Sequence, residues 1–251
     1  MKYCSDFIVE ENIQLNTFYF KLILKSDEEL PCIKPGQFVE LQVQQPSNVL
    51  LRRPISIHDV DEARNEITLL IQIAGRGTKQ LSTLKKGESV SMIYPLGNGF
   101  ELLGNKVLLV GGGVGVAPLL HLAKQFNEIG IRPKILLGYR GKEQIFDNET
   151  YSRYGELHIS TQDGSHGEKG LVTEHSVFSN QFDAVYTCGP TPMMRAVAEN
   201  CEKRNIKCFV SLENKMACGI GACLCCVQQT TSGHKCTCTE GPVFDSKEIV
   251  W

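Results

Sequence analysis

The stretch KVLLVGGGVGVAPLLHLAKQF, Lys106 to Phe126, predicts the architecture of the middle of this 251-residue chain. The apolar run Val107–Val110 is typical of a buried strand, and a glycine loop, Gly111–Gly115, connects it to a segment with apolar residues at helical spacing. A strand, a glycine loop and a helix in this order form the first βα unit of a doubly wound sheet. The stretch therefore predicts a nucleotide domain.

Further strands and a helix follow this unit. Their sequences are KILLGYR (134–140), LHIST (157–161), DAVYTCG (183–189) and, for the helix, TPMMRAVAENCEKRN (191–205). Alternating strands and helices predict a parallel sheet with its ligand at the carboxyl ends of the strands. The glycine loop and the tripeptide Cys188-Gly189-Pro190 both come to those ends. We therefore expect a nucleotide to bind between them.

The glycine loop allows two interpretations. Residues 111–118, GGGVGVAP, do not match the full G-x-G-x-x-G fingerprint, so a tight turn of purely structural use is an alternative. In favour of binding, backbone amides at a helix N-terminus suit a phosphate, and Pro118 falls in the first helical turn, where no N–H is needed. The cofactor contacts that we expect are Gly111, Gly112, Gly113, Gly115, Gly189 and Pro190.

The strand KILLGYR bears on the choice of nucleotide. No acidic residue follows it to hold a ribose diol, and Arg140 at its end suits a 2′-phosphate. The residues therefore leave NADH and NADPH both open.

The first hundred residues have a different texture, with short alternating segments rich in β-branched residues. Their sequences are DFIVEENIQL (6–15), TFYFKLILKS (17–26), GQFVELQVQQ (36–45), RRPISIHDV (52–60), EITLLIQIAG (66–75) and ESVSMIYPLG (88–97). Turn residues such as Lys34-Pro35-Gly36 separate them. Six such strands in about a hundred residues predict a closed or nearly closed antiparallel barrel.

Near the end of the chain, six of the eleven cysteines fall between Cys218 and Cys238, in MACGIGACLCCV (216–227) and KCTCTEGPVF (235–244). Dense cysteines in exported proteins usually form disulfides. The first residues, MKYCSDFIVEEN, lack an apolar signal core, and no stretch has the roughly 18 consecutive apolar residues of a membrane span. We therefore expect a cytoplasmic protein whose clustered cysteines bind metal or do redox work.

The spacing of these cysteines points to one kind of site. Cys218, Cys223 and Cys226 follow C-x4-C-x2-C, the three-ligand run of a plant-type [2Fe–2S] site, with a fourth thiolate further along. A zinc ribbon is the alternative, although zinc sites prefer two separated C-x2-C-like pairs. Glycines at 219 and 221 suit a loop that wraps closely round a cluster. Cys225 is then a spare small apolar residue.

Composition excludes several classes of protein. The net charge is −2 with no long run of one sign, so nothing indicates nucleic-acid binding, and no membrane association is expected. The length suits roughly two domains, and 42% hydrophobic content is ample for packed cores. We predict an α+β multidomain chain: an antiparallel β-barrel over residues 1–100, an α/β doubly wound nucleotide domain over 101–212 and a small iron–sulfur domain over 213–251.

Together these segments resemble a known family. The barrel, RRPISI (52–57), GRGT (75–78), the glycine loop and the Cys-Gly-Pro strand end are similar to the ferredoxin-NADP reductase superfamily, over Met1 to about Leu212. Within it, SLENKMACGIGACLCCV (211–227) followed by CTEGPVF (238–244) resembles the electron-transfer subunits of class 1B dihydroorotate dehydrogenases. The likeness spans the whole chain.

The resemblance implies FAD in the barrel and a ligand set for the cluster. Its metal ligands match Cys218, Cys223, Cys226 and Cys238, whereas Cys236 is two residues early. Its FAD contacts match Arg53, Pro54, Ile55, Ser56, Leu70, Ile71, Gln72, Gly77 and Thr78. An arginine is a good bidentate partner for a pyrophosphate, although Arg52-Arg53 alone is more often a solvated strand end.

The resemblance also implies a mechanism and a partner. Flavin belongs between nicotinamide, which exchanges hydride, and a cluster that takes one electron at a time. A separate FMN-containing catalytic subunit would oxidise dihydroorotate, with electrons passing to NAD+ in a complex of two copies of each subunit. Cys188 would lie near the nicotinamide, with a buried structural cysteine as the alternative. The C-terminal aromatic that caps the flavin in many superfamily reductases is absent, because the iron–sulfur segment replaces that end.

Two other functions stay open at this point. Similar subunits serve sulfide dehydrogenases and hydrogenases, so an NAD(P)H-dependent reductase subunit of another complex is one alternative. A zinc-stabilised scaffold without catalytic activity is the other. The histidines are scattered, and none lies in a pattern that suggests a base for dihydroorotate, so we expect no dihydroorotate turnover by this chain alone.

Overall fold

The computed structural model describes residues 1–43 and 49–251, and the first hundred residues form a closed antiparallel barrel. Its strands are β1 Tyr3–Gln14, β2 Tyr19–Lys25, β3 Phe38–Leu41, β4 Arg53–Asp61, β5 Glu66–Gln72 and β6 Ser89–Leu96. They are hydrogen-bonded in the order β1-β2-β5-β4-β3-β6. The predicted barrel is confirmed, and residues 44 and 45 of its third predicted strand lie outside the described residues.

Alternation along the strands fills the barrel. On β2, Phe20, Leu22 and Leu24 are completely buried in one apolar core, while Lys21 lies on the other face, since successive side chains point to opposite sides. A short helix, α1 Arg76–Leu81, follows β5 and contributes Leu81 to the same core. The outer wall of the barrel is thereby free to carry other elements.

The remaining elements form a seven-stranded sheet with its helices and a small hairpin. In chain order they are β7 Val107–Gly112, α2 Ala117–Glu128, β8 Lys134–Tyr139, α3 Asn148–Tyr154, β9 Glu156–Thr161, β10 Glu168–Lys169, β11 Ala184–Cys188, α4 Thr191–Lys203, β12 Lys207–Ser211, β13 Val227–Thr230, β14 Gly233–Cys236 and β15 Val243–Asp245. One sheet has the order β10-β9-β8-β7-β11-β12-β15, and β13 and β14 form a separate hairpin.

The sheet is doubly wound, as the sequence predicts. Strands β9, β8, β7, β11 and β12 are parallel neighbours, so the order reverses direction at β7. A 3-10 turn over Gly113–Val116 leads from β7 into α2, and Pro118 lies in the first turn of that helix. The end of β7 and the end of β11 therefore lie side by side.

Five strands were not predicted: β10, β12 and β15 of the sheet, and β13 and β14 of the hairpin. The strand β12 reads KCFVS, too short and mixed to show periodicity, and β10 has only two residues. The strand β15 pairs antiparallel with β12, with Val210 opposite Phe244. A segment predicted to belong to the iron–sulfur domain thus completes the edge of the nucleotide sheet. The boundaries at residues 100 and 212 stay a prediction.

Helix α2 joins the sheet to the barrel. Lys124 Nζ lies 2.5 Å from Asp59 Oδ2 on β4, and His121 Nε2 hydrogen-bonds the carbonyl oxygen of Ile33 at 3.1 Å. The face of α2 that carries His121 and Lys124 therefore packs on the barrel wall. Of the helices in the described ranges, none is both long and apolar enough to cross a membrane.

Candidate cofactor-binding site

A cavity of about 580 Å³ lies at the carboxyl edge of the parallel strands, and we name it the edge cavity. Five of the predicted nucleotide contacts line it: Gly112, Gly113, Gly115, Gly189 and Pro190. Gly111 does not, because it packs under α2, where an added Cβ would lie 2.8 Å from a methyl carbon of Val116. The structure therefore brings five of the six predicted contacts together at one cavity, and their role in nucleotide binding stays a prediction.

Gly115 brings two backbones into contact. A Cβ at this position would lie 2.4 Å from Gly189 Cα and 2.6 Å from the carbonyl oxygen of Cys188. Backbone cannot move aside as a flexible side chain can, so glycine is required here for close approach. This contact fixes the glycine loop against the end of β11.

Cys188 is the last residue of β11, and the residue is 1% exposed. Burial raises the pKa of this thiol well above its usual value, the charge of Glu213 adds to the rise, and a hydrogen bond with Ser211 opposes it. Gly189 and Pro190 line the edge cavity, whereas Cys188 is not among the lining residues. The structure thus places Cys188 behind the cavity wall as a neutral thiol, and its predicted catalytic role stays a prediction.

A second cavity, of about 280 Å³, lies against the outer wall of β4 and β5, and we name it the barrel cavity. The predicted flavin contacts that line it are Pro54, Ile55, Ser56, Leu70, Ile71 and Gln72. Gln72, Val114 and Glu213 line both cavities. Ligands in the two cavities would therefore meet at these three side chains.

Glu213 was missed by the sequence interpretation. Its side chain is accessible from the cavities, yet the surrounding protein raises the pKa of its carboxyl by desolvation. It follows β12 directly, and β12 itself was not predicted. If β12 had been predicted, the position of Glu213 just after the end of a parallel strand would have indicated a residue at the cavity.

The two neighbouring arginines have different partners. Arg52 donates to the carbonyl oxygen of Glu40 at 3.3 Å and to the carbonyl oxygen of Ser91 at 2.9 Å. Arg53 donates from Nη2 to the carbonyl oxygen of Leu51 at 3.0 Å, and its buried Nε has no partner among the described residues. Only Arg53 thus keeps buried donor capacity, which fits a phosphate-bearing cofactor.

Gly77 and Thr78 lie in the first turn of α1, where Gly77 is next to Arg53. A Cβ at Gly77 would lie 3.1 Å from Arg53 Cδ, so the glycine lets the arginine pack on the backbone. The Thr78 hydroxyl accepts from the amides of Ala74 and Gly75 at 2.9 and 3.1 Å. Neither residue lines the barrel cavity, so the structure brings Gly77 to Arg53 and not to the six cavity residues.

The cysteine loop, Cys218–Cys226, folds its backbone amides toward sulfur. The pKa of Cys218 is about 6: burial opposes this lowering, but amides of Ile220, Cys223 and Ala222 and the Cys223 thiol hydrogen-bond the Cys218 sulfur. Amide donors around thiolates are the usual surroundings of an iron–sulfur cluster. Glycines at 219 and 221 have φ of +66° and +90°, which permits this fold.

The other two predicted ligands, at the end of the loop and further along the chain, pack against the barrel. Cys226 and Cys238 are buried with Phe38 and Leu96 of the barrel, and their thiols hydrogen-bond each other. Cys236 is half-buried beside Cys226, and Cys225 is exposed. In residues 1–43 and 49–251, no three His, Cys, Asp or Glu side chains already surround a metal-sized position. Four thiols in two pairs, with amide donors, nevertheless supply the donor set that a [2Fe–2S] cluster needs.

A buried carboxyl lies between the barrel and the cysteine loop. Glu40 on β3 is 1% exposed, and neither carboxyl oxygen has a hydrogen-bond partner among the described residues. A Cβ on Gly219 would lie 2.5 Å from Glu40 Cγ, so the loop rests directly on this side chain. Burial raises the pKa of Glu40 to about 7 against the opposing charges of Arg53 and Arg52.

Known protein families match these three regions separately. Residues 6–100 match the oxidoreductase FAD-binding domain, and residues 109–199 match the oxidoreductase NAD-binding domain. Residues 213–250 match the iron-sulfur cluster binding domain of dihydroorotate dehydrogenase B. FAD, NAD and an iron–sulfur cluster are thereby confirmed as the cofactors, in place of the zinc alternative.

Solved structures confirm the fold. The structure of an NADH-dependent reduced ferredoxin-NADP oxidoreductase superposes with a TM-score of 0.88 at 28% identity, covering 98% of this chain and 90% of that one. The ferredoxin reductase of carbazole 1,9a-dioxygenase reaches a TM-score of 0.70 at 19% identity, covering 82% and 67%. The second likeness concerns the fold alone.

Curated relatives extend over the whole chain. One from Fusobacterium nucleatum is 39% identical over 256 residues, and one from Bacillus cereus is 41% identical over 258 residues. Each alignment covers 98% of this chain and 98% of the relative, and both relatives are named dihydroorotate dehydrogenase B (NAD(+)), electron transfer subunit. With the barrel, the doubly wound sheet and the cysteine loop in place, the chain belongs to the family of dihydroorotate dehydrogenase B electron transfer subunits.

Proposed function

We propose that this chain carries electrons between NAD+ and a separate FMN-containing subunit that oxidises dihydroorotate to orotate. The observation that carries the proposal is that the three candidate cofactor sites adjoin one another. The edge cavity shares Gln72, Val114 and Glu213 with the barrel cavity, and Met216 lines the barrel cavity only two residues before Cys218. This adjacency supports three redox sites in a row.

Bound FAD would exchange electron pairs with the nicotinamide and single electrons with a [2Fe–2S] cluster, which connects a hydride carrier to a one-electron carrier. The chain's own residues would hold these groups. Arg53 would donate to the pyrophosphate, and the Ser56 hydroxyl would hydrogen-bond the edge of the flavin ring. Cys218, Cys223, Cys226 and Cys238 would be the cluster ligands, and the glycine loop would bind the NAD phosphates. The relatives' names support NAD over NADP.

The cysteine loop offers a surface for the partner. Ile220 is 45% exposed and Leu224 is 64% exposed, although both are apolar. Exposed apolar side chains around a redox site are typical of a protein interface. We place the FMN-bearing subunit here, in a stable complex of two copies of each subunit. All eleven cysteines are free, which supports a reducing cytoplasm.

Purified subunits test this division of labour. Dihydroorotate-dependent NAD+ reduction is measured with the holoprotein alone and then with the FMN-bearing subunit added. We expect NADH to reduce artificial acceptors in the first sample and dihydroorotate to be consumed only in the second. Dihydroorotate turnover by this chain alone would contradict the proposal, as would a complex that stays inactive.

The flavin site is tested separately with the arginine pair. Because Arg52 is engaged by main-chain oxygens and Arg53 keeps a free buried donor, Arg53→Ala should weaken FAD retention more than Arg52→Ala. A lost charge-assisted hydrogen bond of about 1.5–3 kcal/mol corresponds to roughly a tenfold to hundredfold higher Kd. Flavin fluorescence after dilution measures the Kd, and equal losses in both variants would refute the assignment.

A further inference from the structure

Asp147 lies at the N-terminus of α3, where the nucleotide sheet system meets the barrel. It lines neither the edge cavity nor the barrel cavity, and it is far in sequence from the cluster ligands. Its backbone is left-handed, with φ of +55°. Asp147 is nevertheless the meeting point of polar contacts from both parts of the molecule.

Two of these contacts come from the barrel. Lys21 Nζ on β2 donates to Asp147 Oδ2 at 2.9 Å, with only 18% and 13% of the two side chains exposed. His58 Nε2 on β4 faces the same oxygen at 3.9 Å. The carboxylate is therefore aimed at the barrel wall and not at solvent.

The remaining contact keeps the carboxylate fixed within its own domain. Thr150 Oγ1 donates to Asp147 Oδ1 at 2.6 Å. Burial favours the neutral acid, but His58, Thr150 and Lys21 together lower the pKa of Asp147 to about 2. The group is thus an anion held between two domains at any ordinary pH.

The same residues reach the glycine loop from behind. His58 Nδ1 lies 2.9 Å from the carbonyl oxygen of Ala117, which can only accept, so Nδ1 donates. Tyr151 OH of α3 donates to the carbonyl oxygen of Val116 at 2.9 Å. These two carbonyls directly follow Gly115, so a shift of α3 or β4 moves the loop that lines the edge cavity.

A packing contact connects Asp147 to the cavity on its other side. The neighbouring residue Phe146 is 5% exposed, and its ring centroid lies 4.6 Å from that of Tyr19 on β2. Tyr19 lines the edge cavity. Phe146 also lies against Tyr139 of β8, with ring centroids 5.9 Å apart, and Tyr139 lines the same cavity. The segment that contains Asp147 therefore touches both walls of this cavity, one from the barrel and one from the sheet.

From these contacts we infer that Asp147 is a positioning residue for hydride transfer: it ties the barrel to α3 and so sets how far the edge cavity stands from the barrel cavity. The inference rests on the proposed NADH-to-FAD step. Reacting groups must lie about 3–3.5 Å apart, and a misplacement of about 1 Å can cost a hundredfold in rate. The Lys124–Asp59 pair of α2 also joins the two parts, but Asp147 is the carboxylate on the segment that carries Phe146 and α3, so it is suitably placed to control that separation.

The test uses the holoprotein with FAD and cluster, mixed anaerobically with NADH in a stopped-flow instrument. For Asp147→Asn we expect the limiting rate of FAD reduction to fall roughly tenfold or more, while the apparent Kd of NADH stays within about twofold. With NADH deuterated at the transferred position, the isotope effect should become more temperature-dependent, because the donor–acceptor distance is less well fixed.

A matched control separates positioning from stability. Asp245 Oδ2 pairs with Lys207 at 2.6 Å, and its Oδ1 accepts from the amide of Lys247 at 3.0 Å, so it makes the same kinds of contact inside one sheet. Asp245→Asn should keep the wild-type limiting rate and isotope effect. Lys21→Met, which removes the barrel's charged donor, should act in the same direction as Asp147→Asn with a smaller loss.

The outcomes distinguish this inference from the proposed function. Wild-type rates and isotope effects in both Asp147→Asn and Lys21→Met overturn the positioning role, and so does an equal loss in Asp245→Asn. If Asp147→Asn does not fold, Lys21→Met decides alone. A wild-type holoprotein that NADH does not reduce overturns the proposed function, and the inference with it.

Discussion

The glycine loop lines the barrel cavity through Val114, and the cysteine loop begins two residues after Met216, which lines the same cavity. Both loops depend on glycine, yet for different reasons. In the glycine loop, Gly115 meets backbone, since an added Cβ would lie 2.4 Å from Gly189 Cα. In the cysteine loop, Gly219 has φ of +66° and meets a side chain, that of Glu40. Gly115 permits the close approach of the glycine loop to the end of β11, and Gly219 permits a left-handed turn.

The difference shows how each loop is held in place. Backbone contact within the sheet shapes the glycine loop before any nucleotide arrives. The cysteine loop rests on one buried carboxyl and on thiols that lie in pairs, so its shape depends more on the group those thiols bind. We therefore expect metal ligands to have the largest effects on the cysteine loop and backbone packing to have the largest effects on the glycine loop.

The largest effect is expected for the four proposed ligands. Replacing Cys218, Cys223, Cys226 or Cys238 by serine should abolish the cluster, because a hydroxyl does not replace a thiolate ligand for iron. Cys225→Ser and Cys236→Ser are the matched controls in the same segment, and both should keep the cluster. Visible absorbance and iron content measure the result. A cluster lost in Cys236→Ser and kept in Cys238→Ser would show the ligand assignment to be wrong.

The next largest effect is expected at Gly115. Gly115→Ala must push the glycine loop away from the end of β11, and a displacement of about 1 Å should slow FAD reduction by NADH roughly a hundredfold. The visible bands of flavin and cluster should stay unchanged. Gly75→Ala is the control, because a Cβ there meets nothing within 4 Å. A wild-type reduction rate in Gly115→Ala would remove the proposed distinction between the two loops.

The smallest effect is expected at Gly219. Gly219→Ala should lower the Tm of the holoprotein by a few degrees more than Gly233→Ala, since both have left-handed backbone but only Gly219 has a neighbour. Adding Glu40→Ala, which removes the γ carbon that the new Cβ meets, should remove the extra loss and keep the backbone cost. Thermal unfolding followed by cluster absorbance measures all three variants. If the Tm of the double variant is no higher than that of Gly219→Ala, the loop does not rest on Glu40.

Local patterns accounted for most of the fold. Period-two alternation gave the six barrel strands, and the apolar run before Gly111 gave the first βα unit, because each pattern lies within about ten neighbouring residues. The strand β15 was missed because only its pairing with β12, more than thirty residues earlier, makes VFD a strand. Short strands of this kind are defined by their partner.

The site was predictable to a similar extent. Residues in contiguous motifs, such as Pro54, Ile55 and Ser56, which the resemblance assigns to the flavin, lie together at the barrel cavity, and their role stays a prediction. Alternation on β3 also separates Glu40 from the core residues Val39 and Leu41, which indicates an outward and solvated carboxyl. The sequence could not show that the cysteine loop covers this outer face. Contacts between distant segments, including those of Asp147, were invisible for the same reason.

The pairing of β15 with β12 bears on how the cluster segment moves. The chain leaves the sheet after Ser211 and returns beside the same strand, with Val243 opposite Ser211. The amide of Leu212 also donates to the carbonyl oxygen of Pro242 at 2.9 Å, which joins the departing and returning chains. The segment that carries the cysteines is therefore anchored at both ends, in the neighbouring strands β12 and β15, and is not attached at one end only. Because this segment need not move to deliver electrons, the rate of electron transfer through the cluster should not depend on solvent viscosity.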